Sequence, residues 1–91
     1  MDNKQLIGAL AMDLKRVSLG MQRSSDQMVE VFAKEALKRC KEINEVEVKP
    51  YIAEVLTKTK KLLENQRSKD NAEDLLMYST LMQNYLLHLS K

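Results

Sequence analysis

Apolar residues recur at spacings of three and four through nearly the whole chain, which is the helical period. No long stretch alternates apolar with polar; Val46 and Val48 are the only hint of a strand. The first predicted helix covers 3–19. Leu6, Ile7, Leu10, Leu14, Val17 and Met21 fall on one face of it. Gly8 lies inside and costs about 1 kcal/mol relative to Ala. Gly20 suits the left-handed position that often ends a helix.

The second helix covers 25–43 and opens on Ser24-Ser25-Asp26-Gln27, where Ser24 and Gln27 have capping-box spacing. Met28, Val29, Phe32, Ala33, Ala36, Cys40 and Ile43 make its face. The longest connection, 44–49, ends before Pro50, which disfavours helix at Lys49 and suits a helical first turn. The third helix then covers 50–66. Tyr51, Ile52, Val55, Leu56, Thr59, Leu62 and Leu63 share one side, opposite Glu54, Lys58, Lys61 and Glu64. Gln66 to Lys69 reads as a turn. Asp70 with Glu73 repeats the capping spacing and opens a fourth helix over 71–89. Its main face is Leu75, Tyr78, Leu81, Met82, Tyr85, Leu86 and Leu89, with Leu76, Met77 and Leu87 off it.

Helices joined by short turns predict an all-α fold, an up-down four-helix bundle in a single domain spanning 1–91. The alternative joins the first two helices into one and completes the core in an intertwined dimer. Gly20 and the Ser24 cap argue against it.

One segment stands apart. From 75 to 90 there is no Lys, Arg, Asp or Glu, although 31% of the chain is charged. A helix without a charged face has little reason to lie half in water. Leu76, Met77 and Leu87, with Met12 and Leu19 opposite the core face of the first helix, are therefore expected to form an interface. The expected assembly is a homodimer, or docking on a protein partner.

Size strengthens that expectation. A chain of 91 residues buries roughly 60–65% of its unfolded surface, and association is a common remedy for so thin a margin. The net charge of +2 is too small to imply a nucleic-acid or membrane partner. The segment 75–90 is too short and too polar for a membrane span, and the N-terminus shows no signal peptide. A single cysteine, Cys40, fits a reducing compartment, so the expected location is cytoplasmic.

The residues that carry chemistry do not converge. His88 is the sole histidine, three residues from the end. A ribonuclease bundle of the HEPN type needs an Arg-x4–6-His motif; positions 81–83, where the Arg would lie, are Leu, Met and Gln. A di-iron bundle needs Glu-x-x-His, and Tyr85 occupies the Glu position. Glu42/Glu45 and Asp70/Glu73 have metal-pair spacing, but the first pair projects away from the Phe32/Cys40 face and the second serves as a cap. Cys40 reads as a small buried hydrophobe. No cofactor and no metal are expected.

Lys34, Lys38 and Lys41 form a basic stripe, and Lys58, Lys60, Lys61, Arg67 and Lys69 make the third helix and its turn basic. Acids answer them at helical spacing in Glu30–Lys34, Glu35–Arg39, Lys38–Glu42, Lys41–Glu45, Glu54–Lys58 and Lys60–Glu64. No aromatic residue is interleaved for base stacking. The sequence thus reads as a non-catalytic interaction module. A nucleic-acid-associated regulator, using the basic faces of the second and third helices, is the alternative.

Overall fold

Asp2 starts the fold. Its carboxylate accepts the Gln5 backbone N–H at 2.8 Å, and the Gln5 side chain accepts the Asp2 N–H at 3.1 Å, a complete capping box. Helix α1 follows over Asn3–Gln22. Helix α2 spans Asp26–Glu42, a short 3-10 helix Glu45–Glu47, α3 Pro50–Asn65 and α4 Ala72–Leu89. These come from a computed structural model that describes residues 1–65 and 71–89. Among the described residues there are four α-helices and no strand, and the architecture is an all-α up-down bundle. The expected turn at 66–69 and the Asp70 cap lie outside the described residues.

The first turn differs from the sequence expectation. Gly20 does not end α1; it is a helical residue inside it. The left-handed position falls on Ser24, with φ 55°. Ser25 N–H donates to the Gly20 carbonyl at 2.8 Å, and Ser24 N–H to Met21 at 3.2 Å. That pair of bonds is a Schellman motif, with Ser24 where glycine usually sits. The cap of α2 shifts with it. Ser25, not Ser24, accepts the Met28 N–H, at 3.3 Å.

Gly20 instead permits a close crossing. A Cβ there would stand 3.1 Å from Val29 Cγ2 and 3.2 Å from both Met28 Cβ and the Val29 nitrogen. Ala33, Ala36 and Cys40 continue the small-residue surface of α2. At the other end Asn3 joins the helix pair: its Nδ2 donates to the Asn44 carbonyl and its Oδ1 accepts the Asn44 N–H, both at 3.0 Å. The start of α1 thus meets the end of α2, so the two run antiparallel.

Helix α4 runs antiparallel to α1 on its other flank. Ser18 Oγ donates to the Ala72 carbonyl at 2.8 Å, and Ser79 Oγ to the Ala11 carbonyl at 2.7 Å. Both hydroxyls are buried, so each needs the carbonyl it finds. Small residues on both sides let the backbones approach. Helix α1 therefore packs closely along α2 and α4, while α3 meets those two over shorter stretches. Lys60, ten residues into α3, pairs with Glu45 at 3.0 Å. Spacing alone pointed it to Glu64.

The core is apolar. Ile7, Leu10, Leu14, Ile52, Leu56, Leu63, Leu75 and Met82 are sealed from solvent. Three residues assigned to core faces lie at the surface instead: Tyr51, Leu81 and Leu89, at 49%, 37% and 39% exposure. Tyr51 opens α3 at the rim of the bundle, where its ring stands edge-on to Tyr85 at 5.9 Å.

Candidate interaction surface on helix α4

The exposed face of α4 follows from what α4 turns inward. Ala72, Leu75, Ser79, Met82 and Tyr85 are buried. The inner stripe is thus centred on two small side chains that fit against Ala11 and Ser18 of α1. Larger apolar side chains are left outside. Leu76, Met77 and Leu87 are 42%, 51% and 64% exposed, and Leu81 joins them. From 75 to 89 no charged residue interrupts this face.

Leu76, Met77, Thr80 and Leu81, edged by Glu73, line one shallow patch. Leu87 lines a second with Gly8, Gln83 and Leu86. Met12 and Leu19 lie on the outer side of α1 at 43% and 37% exposure. They are seven residues apart, two helical turns, and so share a face. They line neither patch. His88 sits at the end of α4, exposed, with Nδ1 2.7 Å from the Asn84 carbonyl. A carbonyl only accepts, so Nδ1 carries the proton in that contact.

The other chemistry-bearing residues are already engaged. Cys40 is 1% exposed, and burial pushes its thiol up to about 12, with Lys60 opposing and Glu45 and Glu64 reinforcing the rise. It holds no thiolate at neutral pH. Among the described residues no group of three His, Cys, Asp or Glu is placed to hold a metal ion. Glu42 and Glu45 are exposed.

A charge cluster around the buried Asp13 escaped the sequence reading. Asp13, 4% exposed, meets Arg39 at 2.9 Å through Oδ2 and Arg16 at 3.5 Å through Oδ1. Arg39 also binds Glu35 at 3.0 Å, and the Arg16 guanidinium lies 5.2 Å from the centre of the Phe32 ring. Burial raises the Asp13 carboxyl above its ordinary range, with Arg39 and then Arg16 opposing. The Arg39 Nε is buried without a hydrogen-bond partner. Asp13 stands three residues after Leu10 and four before Val17. A charge on an apolar stripe was the available signal. Both carboxylate oxygens are taken by guanidinium groups, so the cluster ties α1 to α2.

The basic stripe of α3 is partly neutralised: Lys58 contacts Glu54 at 3.3 Å and Lys60 contacts Glu45 at 3.0 Å. Lys34, Lys38 and Lys41 line the outer surface of α2 together with Glu30 and Glu35. A groove of about 390 Å³ opens where the start of α1 meets the end of α4, with Ile7, Val48 and Tyr85 among its lining. Its polar lining is Asp2, which caps α1, Asn3, which binds Asn44, and the charged residues Lys4 and Glu47. Among the described residues, no helix is long and apolar enough to cross a membrane. No protein family, curated protein or solved structure matches the chain.

Proposed function

We propose that this protein is a non-catalytic, cytoplasmic interaction module that self-associates as a homodimer, or docks on a protein partner, through the outer face of α4, with Met12 and Leu19 of α1 extending the contact. The observation that carries the reading is the set of exposed large apolar side chains, Leu76, Met77, Leu81 and Leu87, on a helix with no charge from 75 to 89.

Fully burying one such side chain gains roughly 1.5–3 kcal/mol, so one already half-buried gains about 1 kcal/mol. Six from each copy would supply about 12 kcal/mol before the cost of association, which is at least about 4 kcal/mol. At most about 8 kcal/mol remains, which corresponds to a dimer no tighter than micromolar. A two-fold contact suits a patch that faces itself.

The experiment is sedimentation across micromolar concentrations, with Leu76→Glu/Leu87→Glu as the variant. The wild type should dimerise and the folded variant should remain monomeric. A wild type that stays monomeric at tens of micromolar refutes the homodimer. A variant that unfolds would assign these leucines to the monomer core. For the nucleic-acid alternative the expected result is no binding to duplex DNA or RNA tighter than micromolar at physiological salt. Affinity that falls steeply with added salt would replace the proposal with that alternative.

A further inference from the structure

The groove between the start of α1 and the end of α4 is separate from the surface proposed for association. None of Met12, Leu19, Leu76, Met77, Leu81 and Leu87 lines it. Its volume of about 390 Å³ falls within the roughly 300–1,000 Å³ of small-molecule sites. Ile7, Val48, Tyr85 and Leu89 make its apolar walls. Asn3 and Asn44 exchange two hydrogen bonds of 3.0 Å, which hold the segment Glu45–Glu47 against the start of α1 and preform one side.

Tyr85 is the residue that points to a ligand. It is 5% exposed, and its ring stands edge-on to Tyr51. Among the described residues no hydrogen bond reaches its hydroxyl, yet that oxygen is not one of the sealed unpartnered atoms, of which Arg39 Nε is the single case. The hydroxyl therefore opens into the groove that Tyr85 lines. A buried tyrosine ordinarily gives its hydroxyl a partner. Here the partner has to come from the groove.

The charges of the lining choose the sign of that partner. Asp2 and Glu47 are acids and Lys4 is the base. Both carboxylates are held in place. Asp2 accepts the Gln5 N–H at 2.8 Å, and Glu47 accepts the side-chain amides of Asn44 at 3.1 Å and Asn3 at 3.4 Å. Those donors are neutral, so both negative charges remain, and among the described residues neither acid is in an ion pair.

We infer that this groove binds a small primary amine with an apolar body, of the arylalkylamine or alkylamine class. The apolar part lies on Ile7, Val48, Leu89 and the Tyr85 ring. The ammonium carries three N–H donors, and the groove offers it the carboxylates of Asp2 and Glu47 and the hydroxyl oxygen of Tyr85. One copy of the chain holds every residue involved, so the site does not depend on self-association.

The test titrates the isotope-labelled full chain with phenylethylamine and follows each backbone amide by NMR. Phenylpropionate, a similar apolar body of opposite charge, is the comparison. The amine should shift Lys4, Ile7, Val48 and Tyr85 with a Kd on the order of a millimolar, and phenylpropionate should bind at least about fivefold more weakly. Tyr85→Phe keeps the buried ring and removes the hydroxyl; Glu47→Gln removes one charge. Each should weaken the amine about threefold or more, and Lys4→Gln should not weaken it. The same spectra show that each variant is folded. Phenylpropionate binding as tightly as the amine overturns the assignment, as does loss of amine binding in Lys4→Gln. So do amine shifts confined to the outer face of α4, no saturable shift at the groove, or an unchanged amine affinity in whichever of Tyr85→Phe and Glu47→Gln is folded.

Discussion

Replacing each glycine by alanine should move stability in opposite directions. Both lie inside α1, and neither has a positive φ. Helix propensity therefore favours alanine at both by about 0.8–1.0 kcal/mol. The surroundings differ. A Cβ at Gly8 would meet only Leu86 Cδ1, at 3.6 Å, which is ordinary van der Waals contact with the end of a flexible side chain. Gly8→Ala should stabilise by about 1 kcal/mol, raising Tm by roughly 4–8 °C for a domain of this size. A Cβ at Gly20 would be 3.1–3.2 Å from Val29 Cγ2, Met28 Cβ and the Val29 nitrogen. Two of those atoms are fixed to the first turn of α2, which cannot yield without moving the helix. Overpacking of this kind costs typically 1–3 kcal/mol, so the net effect is a loss of about 0–2 kcal/mol. Urea unfolding of the two variants, with an unchanged m-value as the check on two-state behaviour, measures both. If Gly20→Ala stabilised as much as Gly8→Ala, the close crossing of α1 and α2 would be wrong.

Ser24→Gly should stabilise by about 0.5 kcal/mol, because relief of a left-handed φ worth about 1–2 kcal/mol exceeds the 0.5–1 kcal/mol that glycine's freedom costs on folding; a loss in thermal unfolding would count against the Schellman turn. Asp13 should impose an inverted pH dependence. Its folded pKa lies above the ordinary 3.8, chiefly through burial, so the folded state binds its proton more tightly than the unfolded chain. Stability from this group is therefore present below 3.8 and is lost as pH rises through the folded value. Asp13→Asn should remove that fall from the pH–stability profile, and an unchanged profile would contradict it. Cys40 should resist iodoacetamide in the native protein at mildly alkaline pH and react once urea is added, since its thiol is pushed up to about 12 and buried. Cys40→Ser should cost about 1–3 kcal/mol in urea unfolding, for a hydroxyl placed in an apolar site.

Much of the architecture was legible because helical periodicity is a local property. The stripes of Leu6, Leu10, Leu14 and Val17, and of Ile52, Leu56 and Leu63, repeat at three and four and are buried as that spacing requires. Pro50 marked the start of α3 because its fixed φ and missing N–H act within one turn. The uncharged stretch of α4 was likewise visible as composition, and so was the candidate surface on Leu76, Met77 and Leu87.

Packing decided the rest. Gly20 and Ser24 exchanged roles because a close crossing of α1 and α2 needs the residue without a side chain more than the turn does. The capping geometry then moved to Ser25. Asp13 lies on an apolar stripe, and only the arrival of Arg39 from α2 makes its burial tolerable. The rotation of α4 has the same origin. Ser79 reads as a poor core residue in a pattern of hydrophobicity, yet it faces inward, because its hydroxyl finds the carbonyl of Ala11, while the Ala72 carbonyl finds Ser18. Local sequence determined that α4 is a helix with more apolar residues than one stripe can bury. The hydrogen bonds and close approach of α1, formed between residues 54 and 68 positions apart, determined which of them remain outside.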